Sequence, residues 1–234
     1  MKRIRLAGAY RCLKLSDIML RNLILASFIA GAAASQAADW TPLFDGKSLA
    51  GWTSETGGKP GDGWKIEDGA LHRTGKKPGS LISEKEYKDF EFEFEWKISA
   101  KGNSGVKYRV QKSQAGWLGP EYQVLDDTGH ANGKVADTTA GSLYEVAPAA
   151  KDKDLKPVGE WNASRIVAKG TVLEHWLNGK LAVKIDTTSE EWKKLKKDSK
   201  FSKMDDFAGP AAGHLLLQDH DDEVWFRNLR IREL

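Results

Sequence analysis

The chain has 234 residues, with 36 Lys plus Arg against 33 Asp plus Glu, and a single Cys. The length suits one large domain or two small ones, and an apolar share of 40% is enough for a packed core, which excludes wholesale disorder. A lone cysteine excludes an internal disulfide framework and any Cys-rich zinc module, while nine Trp point to a β-rich fold, to sugar stacking, or to both.

Arg21 is followed by an apolar run from Leu23 to Ala34, and Ser35-Gln36-Ala37 then supplies small residues. This is the pattern of a secretory signal peptide over residues 1–37, cleaved after Ala37. The alternative is a membrane anchor. The run is too short to span a bilayer comfortably and ends in a cleavage-like site, so no stable membrane insertion is expected after cleavage. The stretch before Met19 is long and polar for such a leader, which makes Met19 a second candidate start. Cys12 lies ahead of the apolar run, where no lipid attachment would place it. The leader holds Lys2, Arg3, Arg5, Arg11, Lys14 and Arg21 against Asp17. The chain's basicity therefore belongs to the leader and implies no nucleic-acid partner. The remainder has no cysteine and suits an oxidising compartment, periplasmic or secreted.

Residues 38–234 contain no Pro/Ser linker and no internal repeat, and read as a single domain. Trp64-Lys65-Ile66-Glu67 and Ala70-Leu71-His72 flank Asp68-Gly69, a pair that accepts the positive φ angles of a tight hairpin. The clearest strand covers 89–98. Phe90, Phe92, Phe94, Trp96 and Ile98 alternate with Glu91, Glu93, Glu95 and Lys97, so one face is core and the glutamate row is a solvated face rather than a metal site. Further strands are predicted over 104–111, 121–126, 142–146 and 163–169. A second hairpin, 171–177 with 180–185, turns on Asn178-Gly179. One short helix is expected over 189–197, with Thr188 and Glu191 as a capping box, before strands at 214–219 and 223–233. Many short strands and one helix predict an all-β fold, an antiparallel jelly-roll β-sandwich of two curved sheets whose concave face is a groove for a sugar chain.

Several segments carry a family resemblance. They are Leu43-Phe44-Asp45-Gly46-Lys47-Ser48-Leu49-Ala50-Gly51-Trp52, Trp64-Lys65-Ile66-Glu67-Asp68-Gly69-Ala70-Leu71, Gly102-Asn103-Ser104-Gly105-Val106-Lys107-Tyr108-Arg109-Val110 and Pro120-Glu121-Tyr122-Gln123-Val124-Leu125-Asp126-Asp127. Glu174-His175-Trp176-Leu177-Asn178-Gly179, Leu217-Gln218-Asp219-His220 and Phe226-Arg227-Asn228-Leu229-Arg230-Ile231 follow in order. Together they resemble the 3-keto-disaccharide hydrolase domain family, from about Trp40 to Leu234. The resemblance implies a concanavalin-like fold, secretion, and a carbohydrate substrate already oxidised to a ketone at C3. Such a substrate is cleaved by removing the C2 proton and expelling the aglycone by β-elimination, as hydrolase or lyase. That route needs a base near C2, a cation or donor for the enolate oxygen and an acid for the leaving group.

Strand parity puts Val106, Tyr108 and Val110 on one face and Lys107, Arg109 and Gln111 on the other. It likewise groups Glu121 with Gln123, apart from Tyr122 and Val124. With the resemblance, the expected site is a cluster of Arg109, Glu121 and Gln123. Glu121 serves as base or metal ligand, and Arg109 as enolate or hydroxyl donor. A plain surface salt bridge is the alternative. His175, on an apolar stripe between Leu173 and Leu177, is weighed evenly as acid/base or as a satisfied core residue. Asn103, Tyr108, Asp126, His130 and His220 are candidate substrate contacts, and Trp117, in a Gly-flanked loop, is the stacking candidate. His72 and His214 are read as structural. No local metal motif is present, and a divalent ion held by Glu121, His175 or His220 is left open. The competing function is a non-catalytic, lectin-like carbohydrate-binding module.

Overall fold

The computed structural model describes residues 39–75, 77–113, 116–205, 207–209 and 211–234. The leader lies outside the described residues. In chain order the strands are β1 (Thr41–Pro42), β2 (Trp52–Ser54), β3 (Trp64–Glu67), β4 (Ala70–Arg73), β5 (Leu81–Ser83), β6 (Phe90–Ile98), β7 (Asn103–Ser113), β8 (Gly116–Leu118) and β9 (Glu121–Leu125). After two short 3-10 turns, Ala131–Lys134 and Ala136–Thr138, come β10 (Asn162–Lys169), β11 (Val172–Leu177) and β12 (Lys180–Asp186). The helix α1 (Glu190–Asp198), β13 (His214–Leu217) and β14 (Val224–Glu233) complete the fold.

The strands form two antiparallel sheets. The first runs β12-β11-β10-β6-β14-β4-β3, with β1 on β14; the second runs β2-β5-β13-β7-β8, with β9 also on β7. The expected β-sandwich is therefore present. Both predicted hairpins close on residues of positive φ, Asp68-Gly69 and Asn178-Gly179. Strand β6 is central in the first sheet and alternates as predicted: Phe90, Phe92, Phe94, Trp96 and Ile98 are buried between the sheets. Its glutamate row is an ion-pair ladder across to β14, with Glu91, Glu93 and Glu95 bonded to Arg232, Arg230 and Arg227 at 2.6, 2.6 and 2.7 Å. The helix is capped one residue later than expected. Ser189, not Thr188, accepts from the Trp192 N–H, while the Thr188 hydroxyl is bonded to Asp186. The stretch 142–146 is not a strand. It makes a single bridge, Leu143 to Tyr122, and then turns back on itself through Leu143 to Ala147.

The parity of β7 breaks at Arg109, which has a φ of 48° and sits opposite a register shift in β13. Val106 and Tyr108 share one face as predicted, and it is the core face, but Val110 is carried to the other face, where it packs with Ile82 and Leu216. The same bulge takes Arg109 off the face it shares with Lys107 on paper.

Candidate active site

The outer face of the second sheet carries two aligned rows of side chains. In the first, Leu216, Lys107 and Glu121 stand in register on β13, β7 and β9, and the Tyr144 N–H donates to the Glu121 carbonyl at 3.0 Å. In the second, the Gln218 N–H donates to the Gly105 carbonyl at 2.9 Å, Gly105 stands opposite Gln123, and the Gln123 N–H donates to Ser142 at 3.2 Å. Tyr122 and Leu143, the alternating neighbours, point into the core. At the far end the Asn103 amide donates to His220 Nε2 at 3.3 Å.

Glycine at 105 makes the hollow. A Cβ there would overlap Glu121 Oε1, so the carboxylate lies down over the bare backbone. Glu121 is buried, and burial pushes its carboxyl above the ordinary value of 4.5 against the pull of Lys107, Lys200 and His220. The nearest cation, Lys107 Nζ, is 3.7 Å away, too far for a hydrogen bond. Around it, Gln123 Oε1, Ser142 Oγ and Gln218 Oε1 are buried without hydrogen-bond partners. These orphans all belong to the second row. Unpaired buried polar atoms cost free energy, so this cluster beside a destabilised carboxylate makes the second row the candidate ligand-binding place. The Gln123 amide nitrogen is committed to Asn103 and to the Thr138 carbonyl at 3.3 and 3.2 Å, which leaves its oxygen without a partner.

Of the residues predicted from sequence, Glu121, Gln123, Asn103 and His220 meet on this face. Arg109 does not. Its guanidinium donates to Lys88 O, Gly170 O and Asp89 Oδ1 at 2.7, 2.9 and 3.0 Å, pinning the bulge to the rim of the sandwich, and the cation facing Glu121 is Lys107. His175 is likewise a core residue. Its Nδ1–H donates to Gly141 O at 3.1 Å, its Nε2 accepts from the Tyr108 hydroxyl at 3.0 Å, and burial drives its pKa down to about 4. Tyr108, predicted as a substrate contact, is buried with it between the sheets, away from the Glu121 face. Asp126 is a loop brace. Burial would raise its pKa, yet the Lys101, Thr128 and Gly129 donors hold it below the carboxylate range. His130 caps the first 3-10 turn through Nδ1, which accepts from Asn132 N at 3.1 Å. His72 and His214 are structural as expected, bonded to Glu67 and to the Ser83 carbonyl.

Trp117 lies on β8 rather than in a loop, half-buried on the Ile82, Val110 and Leu216 patch, with its indole N–H given to Glu55 O at 2.8 Å. Leu216 joins that patch to the Lys107–Glu121 row. Among the described residues no group of three His, Cys, Asp or Glu side chains is placed to hold a metal, and His175 drops out of the set considered for one. Lys107, Ser142, Tyr144, Gln218 and Lys200 escaped the sequence reading. Two had a usable signal: Lys107 by its parity with the predicted cluster, and Gln218 by its place in the Leu217-Gln218-Asp219-His220 segment. A larger cavity of about 660 Å³ lies on the first sheet, but its carboxylates, Glu93 and Glu95, are already bonded to arginines.

A profile described as the 3-keto-alpha-glucoside-1,2-lyase-like domain matches residues 39–232. The chain is 34% identical over 232 residues to a 3-keto-disaccharide hydrolase of Bacteroides thetaiotaomicron, covering 85% of this chain and 79% of that protein. Among solved structures, one from Parabacteroides distasonis, provisionally assigned as a glycosyl hydrolase, aligns with a TM-score of 0.74 at 33% identity over 83% of this chain and 94% of its own. A second from the same organism, with the same provisional assignment, gives 0.66 at 28% identity over 84% and 100%.

Proposed function

Because the chain belongs to the 3-keto-alpha-glucoside-1,2-lyase-like domain family, we propose that this glycoside-cleaving enzyme acts on glycosides bearing a ketone at C3 of the glycosyl ring. A C3 ketone acidifies the C2 proton. Glu121 removes that proton, the C2–H electron pair enters the enolate, and its collapse forms the C1–C2 double bond as the C1–O bond to the aglycone breaks. Water then adds across the double bond when the net reaction is hydrolysis. This path needs one strong base rather than the paired carboxylates of an ordinary glycosidase. The observation that carries the reading is the buried, hydrogen-bond-poor Glu121 beside the orphaned acceptors of the second row. A carboxylate raised by burial is a better base at neutral pH than one in water. Lys107 faces the enolate oxygen, while Gln123, Asn103 and His220 hold ring hydroxyls. Export through the leader at 1–37 belongs to the same proposal, since a secreted enzyme meets extracellular glycosides.

The test is incubation of the protein with a 3-keto-glucoside and with its unoxidised parent, following aglycone release. Turnover of the keto compound alone is expected, and Glu121→Gln should lose at least about 100-fold in kcat with the fold intact. Zero release from both glycosides would favour a carbohydrate-binding module, and equal release from both would remove the requirement for the C3 ketone. Near-normal turnover by Glu121→Gln would remove Glu121 as base.

A further inference from the structure

Strand β4 carries a charged residue on its core side. Arg73 shares a face with Leu71, which is packed between the sheets, and Arg73 itself is 1% exposed. Its guanidinium grips two carboxylates of the loop that runs from β13 to β14. Nε donates to Asp219 Oδ1 at 2.6 Å, with Nη2 also 2.6 Å from that oxygen, and Nη2 donates to Asp221 Oδ1 at 3.2 Å. The Gly79 N–H donates to Asp219 Oδ2 at 2.9 Å, and the Asp219 N–H to Ser80 Oγ at 3.2 Å. Asp221 has a φ of 66°, a left-handed conformation that a side chain adopts at a cost. The residue between the two gripped carboxylates is His220. From the other side, Asp222 accepts the Asn103 N–H at 2.9 Å, and the Asn103 amide reaches His220 Nε2.

The amides fix which ring nitrogen carries the proton. Gln123 Nε2 donates to the Thr138 carbonyl, which can only accept, and to Asn103 Oδ1. The Asn103 amide therefore turns its NH2 toward His220, whose Nε2 must accept, and the proton of the neutral ring sits on Nδ1. We propose that Arg73 is a positioning residue for the reaction: by gripping Asp219 and Asp221 on either side of His220, it holds that ring against Asn103 as the Nδ1–H tautomer, a neutral donor for an oxygen of the bound sugar. The proposal rests on the reading above, which seats the sugar on this face. A buried ion pair adds little net stability over an apolar pair of the same volume, so stability alone gives no reason to bury a guanidinium here. Position does, because Arg73 is rooted in the first sheet while the ring it directs belongs to the site on the second.

Two readouts test it: nitrogen NMR of histidine-labelled protein, and turnover of a 3-keto-glucoside. At a pH where the ring is neutral, His220 should show a protonated Nδ1 and a bare Nε2, its signals assigned by their loss in His220→Ala. Arg73→Lys keeps the charge but cannot span both carboxylates. It should let the two tautomers mix and lower kcat/KM by about tenfold, the worth of one well-placed hydrogen bond. In the His220→Ala background the same substitution should change kcat/KM by less than about twofold, because residues that act through one another are not additive. A purely structural Arg73 would cost the same factor in both backgrounds and leave the tautomer alone, and either result would overturn the proposal. So would a wild-type ring protonated on Nε2. Should Arg73→Lys fail to fold, Asp221→Ala cuts one arm of the grip at a side chain that is 66% exposed, and the same comparisons apply. If the wild-type protein releases no aglycone, the proposed reaction falls, while the nitrogen spectra still decide whether the grip on the loop sets the ring, so the two readings fail separately.

Discussion

At the scale of single residues, burial sorts the titratable groups into two kinds. Glu121 is buried with the Lys107 ammonium 3.7 Å away, and His175 is buried with both ring nitrogens satisfied. The first is costly and poised, the second neutral and inert. His175 keeps a proton in the unfolded chain up to its ordinary 6.5, but in the folded protein only below about 4. Its folded pKa is depressed, so its contribution to stability is present above pH 6.5 and is lost as pH falls toward 4. A shift of that size corresponds to roughly 3 kcal/mol across the window. Urea unfolding at pH 7 and pH 4.5 measures it. His175→Gln should be less stable at pH 7 yet lose markedly less on acidification than the wild type. An identical pH dependence in the two proteins would mean that His175 does not set it. Sequence left this residue evenly balanced because a histidine on an apolar stripe looks the same whether its partner is a substrate or a tyrosine. Tyr108, the partner that decides, lies on the facing sheet.

At the scale of elements, alternation made most of the fold legible. It gave β6, both hairpins and the pairing of Glu121 with Gln123 on one face. It failed where the backbone leaves the period of two. The bulge at Arg109 reverses parity without any Gly or Pro to announce it, so simple alternation groups Arg109 with Lys107 near Glu121 and Val110 with Val106 and Tyr108, and the structure separates both. Gly105 shows the opposite case, a backbone feature whose purpose appears only when the strands are side by side. No positive φ requires glycine there; a neighbouring carboxylate does. Gly105→Ala should therefore leave the strand paired and push Glu121 out of the hollow. Loss of at least about 100-fold in kcat is expected, comparable to removing the base, because a displaced base loses its reach to C2. The melting temperature should move little, since the carboxylate can swing toward solvent. If Gly105→Ala turns over normally, the hollow is not where the ring sits.

At the scale of the whole molecule, the two outer faces of the sandwich are finished differently. Trp52, Trp64, Trp96 and Trp192 are in the core. Trp40, Trp161, Trp176 and Trp225 lie against Arg or Lys side chains on the first sheet, whose glutamates are also paired. That leaves Trp117 as the tryptophan on the second sheet, beside the face whose buried acceptors are orphaned. The glutamates and tryptophans of the first sheet are paired, with only His72 Nε2 and Arg232 Nε among the described residues buried without hydrogen-bond partners there, whereas three orphaned oxygens gather in one row on the second sheet. Ligand-linked stability distinguishes them, because a molecule that binds only the folded state stabilises it by mass action, about 2.7 kcal/mol at about 100 times Kd. The probe is a 3-keto-sugar with hydrogen in place of the aglycone at C1, which can occupy the hollow but has nothing to eliminate. It should raise the melting temperature of the wild type and of Glu93→Gln alike, since Glu93 belongs to the ion-pair ladder on the far face. Gln123→Ala should abolish the rise, each variant being compared with its own unliganded midpoint. A rise that survives Gln123→Ala but disappears with Glu93→Gln would move the sugar site to the first sheet and its larger cavity.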